Sequence, residues 1–95
     1  MSHVLSYGVF NGGDERLEQA LVALGFPDGQ DLIHRFEPMG VSWVRFTDSA
    51  RAVLHSWPEQ DRVSVDVWAD EPVDLAARLQ PVGWTVVEEG HHGRR

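Results

Sequence analysis

Hydrophobic and polar residues alternate in three consecutive runs in the middle of the chain, and this alternation predicts three strands. The runs cover residues 41–47, 51–57 and 62–68, and each is rich in Val, Trp, Phe or Thr, which favour strands. The connections between them are short, and short connections usually join antiparallel neighbours. The sequence therefore predicts an antiparallel three-stranded unit at the centre of the domain.

The alternation gives each predicted strand two faces of different composition. We take His55 to lie opposite Ser64 and Ser42 to lie opposite His55, an assumption that a shift of one residue would reverse. One face is then apolar and suits helix packing. The other carries a mixed set of polar and large aromatic residues: Ser42, Phe46, His55, Trp57, Ser64, Asp66 and Trp68. Such a face is typical of a ligand pocket or an interface, with a solvated sheet face as the alternative.

Shorter patterns predict the remaining elements. Residues 3–10, 31–37 and 84–88 have the composition of strands. An apolar stripe with helical spacing follows Asp14, which we expect to cap this helix, and Gly25 is placed to end it. The stripe consists of Leu17, Ala20, Leu21 and Leu24. Residues 70–72 (Asp-Glu-Pro) are expected to open a second helix, because acids and proline favour a first turn.

The order strand, helix, four strands, helix, strand predicts an α+β fold. We expect a two-layer sandwich, with two helices on one face of a mostly antiparallel sheet of about six strands. Residues 1–90 are predicted to form a single domain and residues 91–95 a flexible tail. Trp57 and Trp68 would lie on the uncovered face, and small domains rarely expose a large apolar patch. The sequence therefore predicts a homodimer that forms through this face.

Composition excludes several classes of function. The net charge of −7 opposes nonspecific nucleic-acid binding, and the sequence shows neither a membrane-span pattern nor a signal peptide, so we expect a cytoplasmic protein. The chain contains no cysteine, which excludes disulfides and thiolate metal sites. All eight basic residues are arginine, so a lysine Schiff base is excluded. We expect no metal site, because the adjacent His91 and His92 are a weak signal by themselves.

Three phrases resemble the prokaryotic S-adenosylmethionine decarboxylase family: HRFEPMGVS from His34, LHSWPEQ from Leu54 and VDVW from Val65. The resemblance is ungapped from His34 to about Ala69, and a weaker likeness covers residues 3–9. It implies an α/β sandwich that dimerises sheet to sheet, with active sites near the interface. It also implies a pyruvoyl cofactor, which the family makes by cleaving its own chain at a Glu-Ser bond.

The resemblance implies roles for four residues of this chain. Phe36 falls where an aromatic side chain stacks on adenine, and Glu59 falls where a carboxylate holds the ribose hydroxyls. Ser42 and His55 fall where a serine and a histidine assist self-cleavage and proton handling. Trp57 and Trp68 join the expected ligand-binding set because they share the mixed face with this pair.

The chain departs from the family at the residues that make the cofactor. The ungapped count places Ala50 at the pyruvoyl-forming serine, Ser49 at the preceding glutamate and Arg51 at the following histidine. Alanine has no hydroxyl and cannot start the acyl shift. A bulge in the turn would offer an alternative, with cleavage between Asp48 and Ser49. Asp70 replaces the family's acid cysteine, and it is either a proton donor or an acid at a helix entry.

Three functions remain open from the sequence. The first is a homodimer that binds S-adenosylmethionine or a related nucleoside or amine, with no cofactor. The second is an enzyme, acting through His55 and Asp70 or through a pyruvoyl group formed from Ser49, and a Ser-His-Asp hydrolase through Ser42 and Asp66 is a weaker variant. The third is a regulatory subunit that pairs with an active decarboxylase paralogue. Nucleic acid and membrane are not expected partners.

Overall fold

The computed structural model describes residues 3–94, which form one six-stranded sheet and two short helices. Every neighbouring pair of strands is antiparallel, in the order β2-β3-β4-β5-β1-β6. The strands are β1 (His3–Asn11), β2 (Gln30–Arg35), β3 (Val41–Phe46), β4 (Arg51–Trp57), β5 (Arg62–Ala69) and β6 (Thr85–Arg94). The helices are α1 (Leu17–Ala23) and α2 (Leu75–Leu79). The predicted α+β fold is confirmed.

The core lies between the two helices and one face of the sheet. Val63, Val65 and Val67 of β5 are at most 1% exposed, and they belong to one apolar cluster with residues of α1 and α2 such as Leu21 and Leu75. Full burial of an aliphatic side chain contributes roughly 1.5–3 kcal/mol. The face that carries the valines is therefore the covered face, as the alternation predicted.

The assumed strand register is confirmed. Ser42 lies opposite His55 across β3 and β4, and His55 lies opposite Ser64 across β4 and β5. The predicted bounds of β4 match the structure, and those of β3 and β5 differ by one residue at one end. The alternation fixes these strands because a slip by one residue would turn the valines of β5 toward solvent.

Both helices begin later than the sequence predicted. A 3-10 turn (Asp14–Arg16) precedes α1, and within the described residues the side chain of Asp14 makes no capping bond. Asp74 caps α2 by accepting a hydrogen bond from the Ala77 amide at 3.1 Å. Residues 70–72 do not open this helix, because the Val73 amide donates to Ser6 Oγ at 2.9 Å and ties the segment to β1. Gly25, with φ of 101°, ends α1 as predicted.

The predicted tail belongs to the sheet. Strand β6 extends to Arg94, well past the predicted end at residue 88, and it pairs with β1 along its length. Ser6 lies opposite His91, and Ser6 Oγ bonds His91 Nδ1 at 3.0 Å. The prediction of a flexible tail from residue 91 is therefore wrong for residues 91–94, while Arg95 lies outside the described residues.

The second face of the sheet is left without a covering layer in the protomer. Leu32, Trp57 and Tyr7 on this open face are 65%, 50% and 41% exposed. Its exposed apolar character agrees with the predicted interface, and the homodimer stays a prediction. Within residues 3–94, no helix has the length and hydrophobicity that a membrane span requires.

Candidate functional site

Ser42 and His55 form a hydrogen-bonded pair near one end of the open face. They lie directly opposite each other on β3 and β4, and Ser42 Oγ is 2.5 Å from His55 Nδ1. Both side chains are partly buried, with Ser64 of β5 on the other side of His55. The pair has the composition of a nucleophile and its base, and its strand positions were predicted from the alternation.

Asp66 lies on the same face, on the strand next to His55. It is opposite Val53 of β4 and Tyr7 of β1. Burial raises the pKa of the Asp66 carboxyl above its ordinary value, and the charge of His55 opposes that rise to a smaller extent. A Ser-His-Asp triad requires His Nε2 on the serine and Nδ1 on the carboxylate. Because His55 Nδ1 contacts Ser42, the structure does not form the hydrolase arrangement.

The loop that carries Phe36 lies beyond this pair, at the end of the sheet where β2 leads into β3. The Phe36 amide donates to the Gly40 carbonyl at 2.8 Å, which closes a turn over residues 36–40. Gly40 has φ of 109°, a conformation that glycine adopts without strain. The Phe36 ring packs edge-on against His34 with centroids 4.4 Å apart, and it is 49% exposed. One aromatic face is thus held in place and open to a ligand.

Glu59 lies at the same end of the sheet as Phe36. It belongs to the 3-10 turn Pro58–Gln60, which follows Trp57 at the end of β4, and its side chain is exposed. The Val41 amide donates to Ser56 Oγ at 2.9 Å, so the start of β3 is fixed to the end of β4. This contact keeps the loops of Phe36 and Glu59 on neighbouring strands. We call this part of the molecule the nucleoside end, after the ligand that the family resemblance implies for Phe36 and Glu59.

The hairpin between β3 and β4 lies at the opposite end of the sheet. The Thr47 amide donates to the Ala50 carbonyl at 2.8 Å, and Thr47 Oγ1 accepts from the Ala50 amide at 3.2 Å. The register runs continuously from the Ser42–His55 pair to the pairing of Phe46 with Arg51. The hairpin therefore forms without the bulge that the Asp48–Ser49 alternative requires.

This geometry separates Ser49 from the residues that were expected to assist it. Ser49 is exposed at the tip of the hairpin. Five strand positions separate Ala50 from His55, which corresponds to about 16 Å along β4. The Ser42–His55 pair is thus remote from both Ser49 and Ala50 in the protomer.

A cleft of about 730 Å³ opens beside the hairpin. Trp68 and Asp70 at the end of β5 line it together with Ser49, Ala50 and Arg51. The guanidinium carbon of Arg51 lies 5.2 Å from the centre of the Trp68 ring. We call this part of the molecule the hairpin cleft.

The structure divides the predicted site residues between the two ends of one sheet face. Phe36, Trp57 and Glu59 lie at the nucleoside end, and Ser49, Trp68 and Asp70 lie at the hairpin cleft. The seven residues of β4 separate the two groups by about 20 Å. Of these residues, the alternation placed Trp57 and Trp68 on the mixed face, and the resemblance supplied Phe36, Ser49, Glu59 and Asp70 without placing them in the fold.

Two arginines acquire roles that the sequence analysis did not assign. Arg45 is 5% exposed and forms ion pairs with Glu18 at 2.8 Å and Asp31 at 2.7 Å. The hydrogen bonds that Arg45 donates to Glu18 and Asp31 raise the pKa of Arg45, and the same donation to Asp31 lowers the pKa of that carboxyl. Arg51 is the second of these arginines. The only hint of a role for it in the sequence was its position at the place of a family histidine. Among residues 3–94, no group of three His, Asp or Glu side chains is placed to hold a metal ion.

Comparison with known proteins identifies the family. A family model described as S-adenosylmethionine decarboxylase matches residues 14–82, which is more than half of the chain. The chain belongs to the S-adenosylmethionine decarboxylase family. The predicted family is thereby confirmed.

Curated relatives of this family match part of the chain. The chain is 33% identical over 55 residues to the S-adenosylmethionine decarboxylase proenzyme of Caldanaerobacter subterraneus subsp. tengcongensis. The aligned region covers 58% of this chain and 44% of that protein. The chain is 33% identical over 58 residues to the proenzyme of Thermosipho africanus, covering 57% and 45%. The chain thus spans about half the length of the curated relatives it matches.

A solved structure of the family has the same fold. The adenosylmethionine decarboxylase from Aquifex aeolicus aligns with 98% of this chain and 87% of its own, with a TM-score of 0.60 and 18% identity. At this identity the likeness concerns the fold alone.

Proposed function

We propose that this family member is a homodimer that binds a nucleoside ligand of the S-adenosylmethionine type without forming a pyruvoyl group. The observation that carries the proposal is the continuous register of the β3–β4 hairpin, which leaves Ala50 at the place of the pyruvoyl-forming serine. The residues at the nucleoside end keep the types that ligand binding requires.

The residues present at the hairpin do not fit a pyruvoyl group. Formation of that group from the chain requires a hydroxyl against the preceding carbonyl, and Ala50 supplies a methyl group instead. Ser49 carries a hydroxyl, but the continuous register of the hairpin leaves it one position before the place of the family's serine, at an exposed tip. These features support a chain that stays whole and works without this cofactor.

The nucleoside end supports binding of an adenosine moiety. The half-exposed Phe36 ring offers a flat surface for base stacking, and His34 holds the ring edge-on. The exposed carboxylate of Glu59 is able to accept hydrogen bonds from two neighbouring ribose hydroxyls. Both residues match the roles that the family resemblance implies for them.

Dimerisation through the open face would complete the site. The nucleoside end and the hairpin cleft lie at opposite ends of the same face, too far apart for one small ligand. A twofold axis in the plane of the interface and perpendicular to the strands exchanges these ends. Face-to-face sheets pack about 10 Å apart, so the nucleoside end of one protomer would then meet the hairpin cleft of its partner.

Calorimetric titration with 5′-methylthioadenosine tests the ligand class. Phe36→Ala should weaken binding by about 1–3 kcal/mol, the range measured for base stacking on an aromatic side chain. Glu59→Gln should also weaken binding, because the amide is a poorer acceptor for two hydroxyls than a carboxylate.

Val22→Ala is the matched control for this titration, since Val22 is an exposed apolar residue of α1 on the covered side of the sheet. It should leave the affinity unchanged. If the wild type fails to bind methylthioadenosine and S-adenosylmethionine, nucleoside binding is wrong.

Acid–base catalysis is the second candidate, and the hydrogen bond between Ser42 and His55 favours it. Asp70 is remote from this pair within a protomer, because six strand positions separate it from Ser64 opposite His55. Within a protomer the candidate depends on His55 itself, and in the proposed dimer the hairpin cleft that Asp70 lines would approach this pair across the interface. Product analysis after incubation with S-adenosylmethionine decides between binding alone and turnover.

A further inference from the structure

We infer that Arg51 makes the hairpin cleft a binding site for the carboxylate of a nucleoside-linked α-amino acid. The inference rests on the proposed nucleoside-binding function, and it adds the chemical group by which the ligand is recognised. The preferred ligand would then carry its carboxyl group intact, and the decarboxylated nucleoside would be the weaker ligand.

Arg51 is oriented for this role by the strand next to it. It lies directly opposite Trp68 across β4 and β5, with its guanidinium carbon 5.2 Å from the ring centre. This position gives a cation–π contact with the ring, and a guanidinium in such a contact keeps N–H donors along its edge for other partners. That edge matches a carboxylate, which it binds through two parallel hydrogen bonds.

The charge of Arg51 is available to a ligand. Within residues 3–94, no carboxylate forms an ion pair with Arg51, whereas Arg45 is bound by Glu18 and Asp31. The side chain of Arg51 is exposed and lines the hairpin cleft. The cleft therefore contains a cation that is fixed by an aromatic ring and open on its binding edge.

The rest of the cleft suits the other groups of an amino acid. The exposed carboxylate of Asp70 lines the same space and is able to bind an ammonium group. Leu32, Val44 and Phe46 supply apolar surface for an alkyl chain. Next to Arg51, Ala50 contributes only a methyl group. Asp48 also lines the cleft, so a zwitterion would meet the guanidinium of Arg51 and the carboxylates of Asp48 and Asp70.

The inference predicts a preference that net charge alone would reverse. The chain carries a net charge of −7, which favours the ligand with more positive charge. S-adenosylmethionine loses a negative charge on decarboxylation, so long-range electrostatics favours the decarboxylated form. A preference for the intact form therefore requires a local contact with the carboxylate.

Calorimetric titration of the full chain with three ligands tests the inference. The ligands are S-adenosylmethionine, its decarboxylated form and methylthioadenosine. Wild type should bind S-adenosylmethionine roughly 10- to 100-fold more tightly than the decarboxylated form, the range expected for hydrogen bonds to a charged group. Arg51→Gln should abolish this preference and leave methylthioadenosine binding unchanged, and Arg51→Lys should retain part of it.

Arg78→Gln is the matched control, because it removes the same charge from an exposed position on α2, on the covered side of the sheet. It should keep the preference. If methylthioadenosine binds but the other two ligands bind equally, or if Arg51→Gln weakens both equally, the inference is wrong while the proposed function stands. If wild type binds none of the three ligands, the proposed function fails and the inference fails with it. Should Arg51→Gln not fold, the comparison of the ligands on the wild type decides.

Discussion

Asp66 is the residue of the open face whose ionisation the fold opposes. Its carboxyl is partly buried between Val53 and Tyr7, and burial raises its pKa above the ordinary value of 3.8. A raised pKa means that the folded chain binds this proton more tightly than the unfolded chain. The contribution of protonated Asp66 to stability is full below the ordinary value, and it is lost as the pH rises through the raised pKa.

Asp66→Asn should therefore raise the free energy of unfolding at pH 7 relative to wild type. The difference should shrink as the pH falls toward 3.8, because wild-type Asp66 then becomes protonated. Urea unfolding at a series of pH values measures this difference. Ser64→Ala, a neutral change on the same strand face, should show no such dependence, and a stability difference for Asp66→Asn that is constant with pH would contradict the interpretation.

At the scale of elements, the edge strand β2 depends on a buried arginine for its position. All six residues of β2 are exposed, so packing contributes little to holding it beside β3. Arg45 of β3 bonds Asp31 of β2, Glu18 of α1 and the Phe26 carbonyl at 3.0 Å. One guanidinium thus joins the sheet edge, the helix and the loop between them, and β2 leads directly to Phe36.

Arg45→Met should destabilise the fold by about 2 kcal/mol, because it leaves the buried Phe26 carbonyl and two carboxylates without their partner. The value lies below that for a fully buried pair, since Glu18 and Asp31 are partly exposed. Chemical denaturation measures the loss. Arg35→Met on the exposed strand β2 should change stability by less than about 0.5 kcal/mol, and equal effects of the two variants would contradict a structural role for Arg45.

The elements differ in how far the sequence predicts them. The strict alternation in β5 predicted its covered face. The register of three strands, including the Ser42–His55 pair, was assumed from the short connections, and the structure confirms it. The start of α2 and the extent of β6 depend on Ser6, which bonds both the Val73 amide and His91. These partners lie more than 60 positions away in the chain, so local patterns of polarity and turn residues do not contain the information.

For the candidate site, the sequence named residues but did not show where most of them lie in the fold. The resemblance named Phe36 and Glu59 as ligand-binding residues; both lie at exposed positions, and their role stays a prediction. The structural role of Arg45 was not predicted. Arg45 occupies a buried strand position, and the sequence alone does not show which acidic residues would pair with it. Its partners Glu18 and Asp31 come from a helix and a neighbouring strand, and only the folded chain brings them together.

At the scale of the whole molecule, the open face of the sheet is the surface that we expect a partner to cover. It exposes Leu32, Trp57 and Tyr7 while the helices occupy the other side. Small soluble domains rarely leave a large apolar surface exposed to water. A second copy of the chain, related by a twofold axis, is the simplest cover.

Light scattering at micromolar concentration should give about twice the chain mass of 10.7 kDa. Val53→Glu should yield a monomer, because it places a charge at the centre of the open face, between Val44 and Asp66. Val22→Glu on the exposed surface of α1 is the control and should remain a dimer. A wild-type monomer would contradict the interface, and co-purification with a decarboxylase paralogue would favour a heterodimer instead.

The central claim is that the chain binds its ligand as an intact polypeptide. Intact-mass measurement of the purified protein tests this claim most directly, since self-cleavage would divide the chain at the β3–β4 hairpin. We expect one full-length species of 10.7 kDa, before and after incubation with S-adenosylmethionine. Two fragments, one ending at Asp48 and one with a blocked terminus at position 49, both abolished by Ser49→Ala, would contradict it.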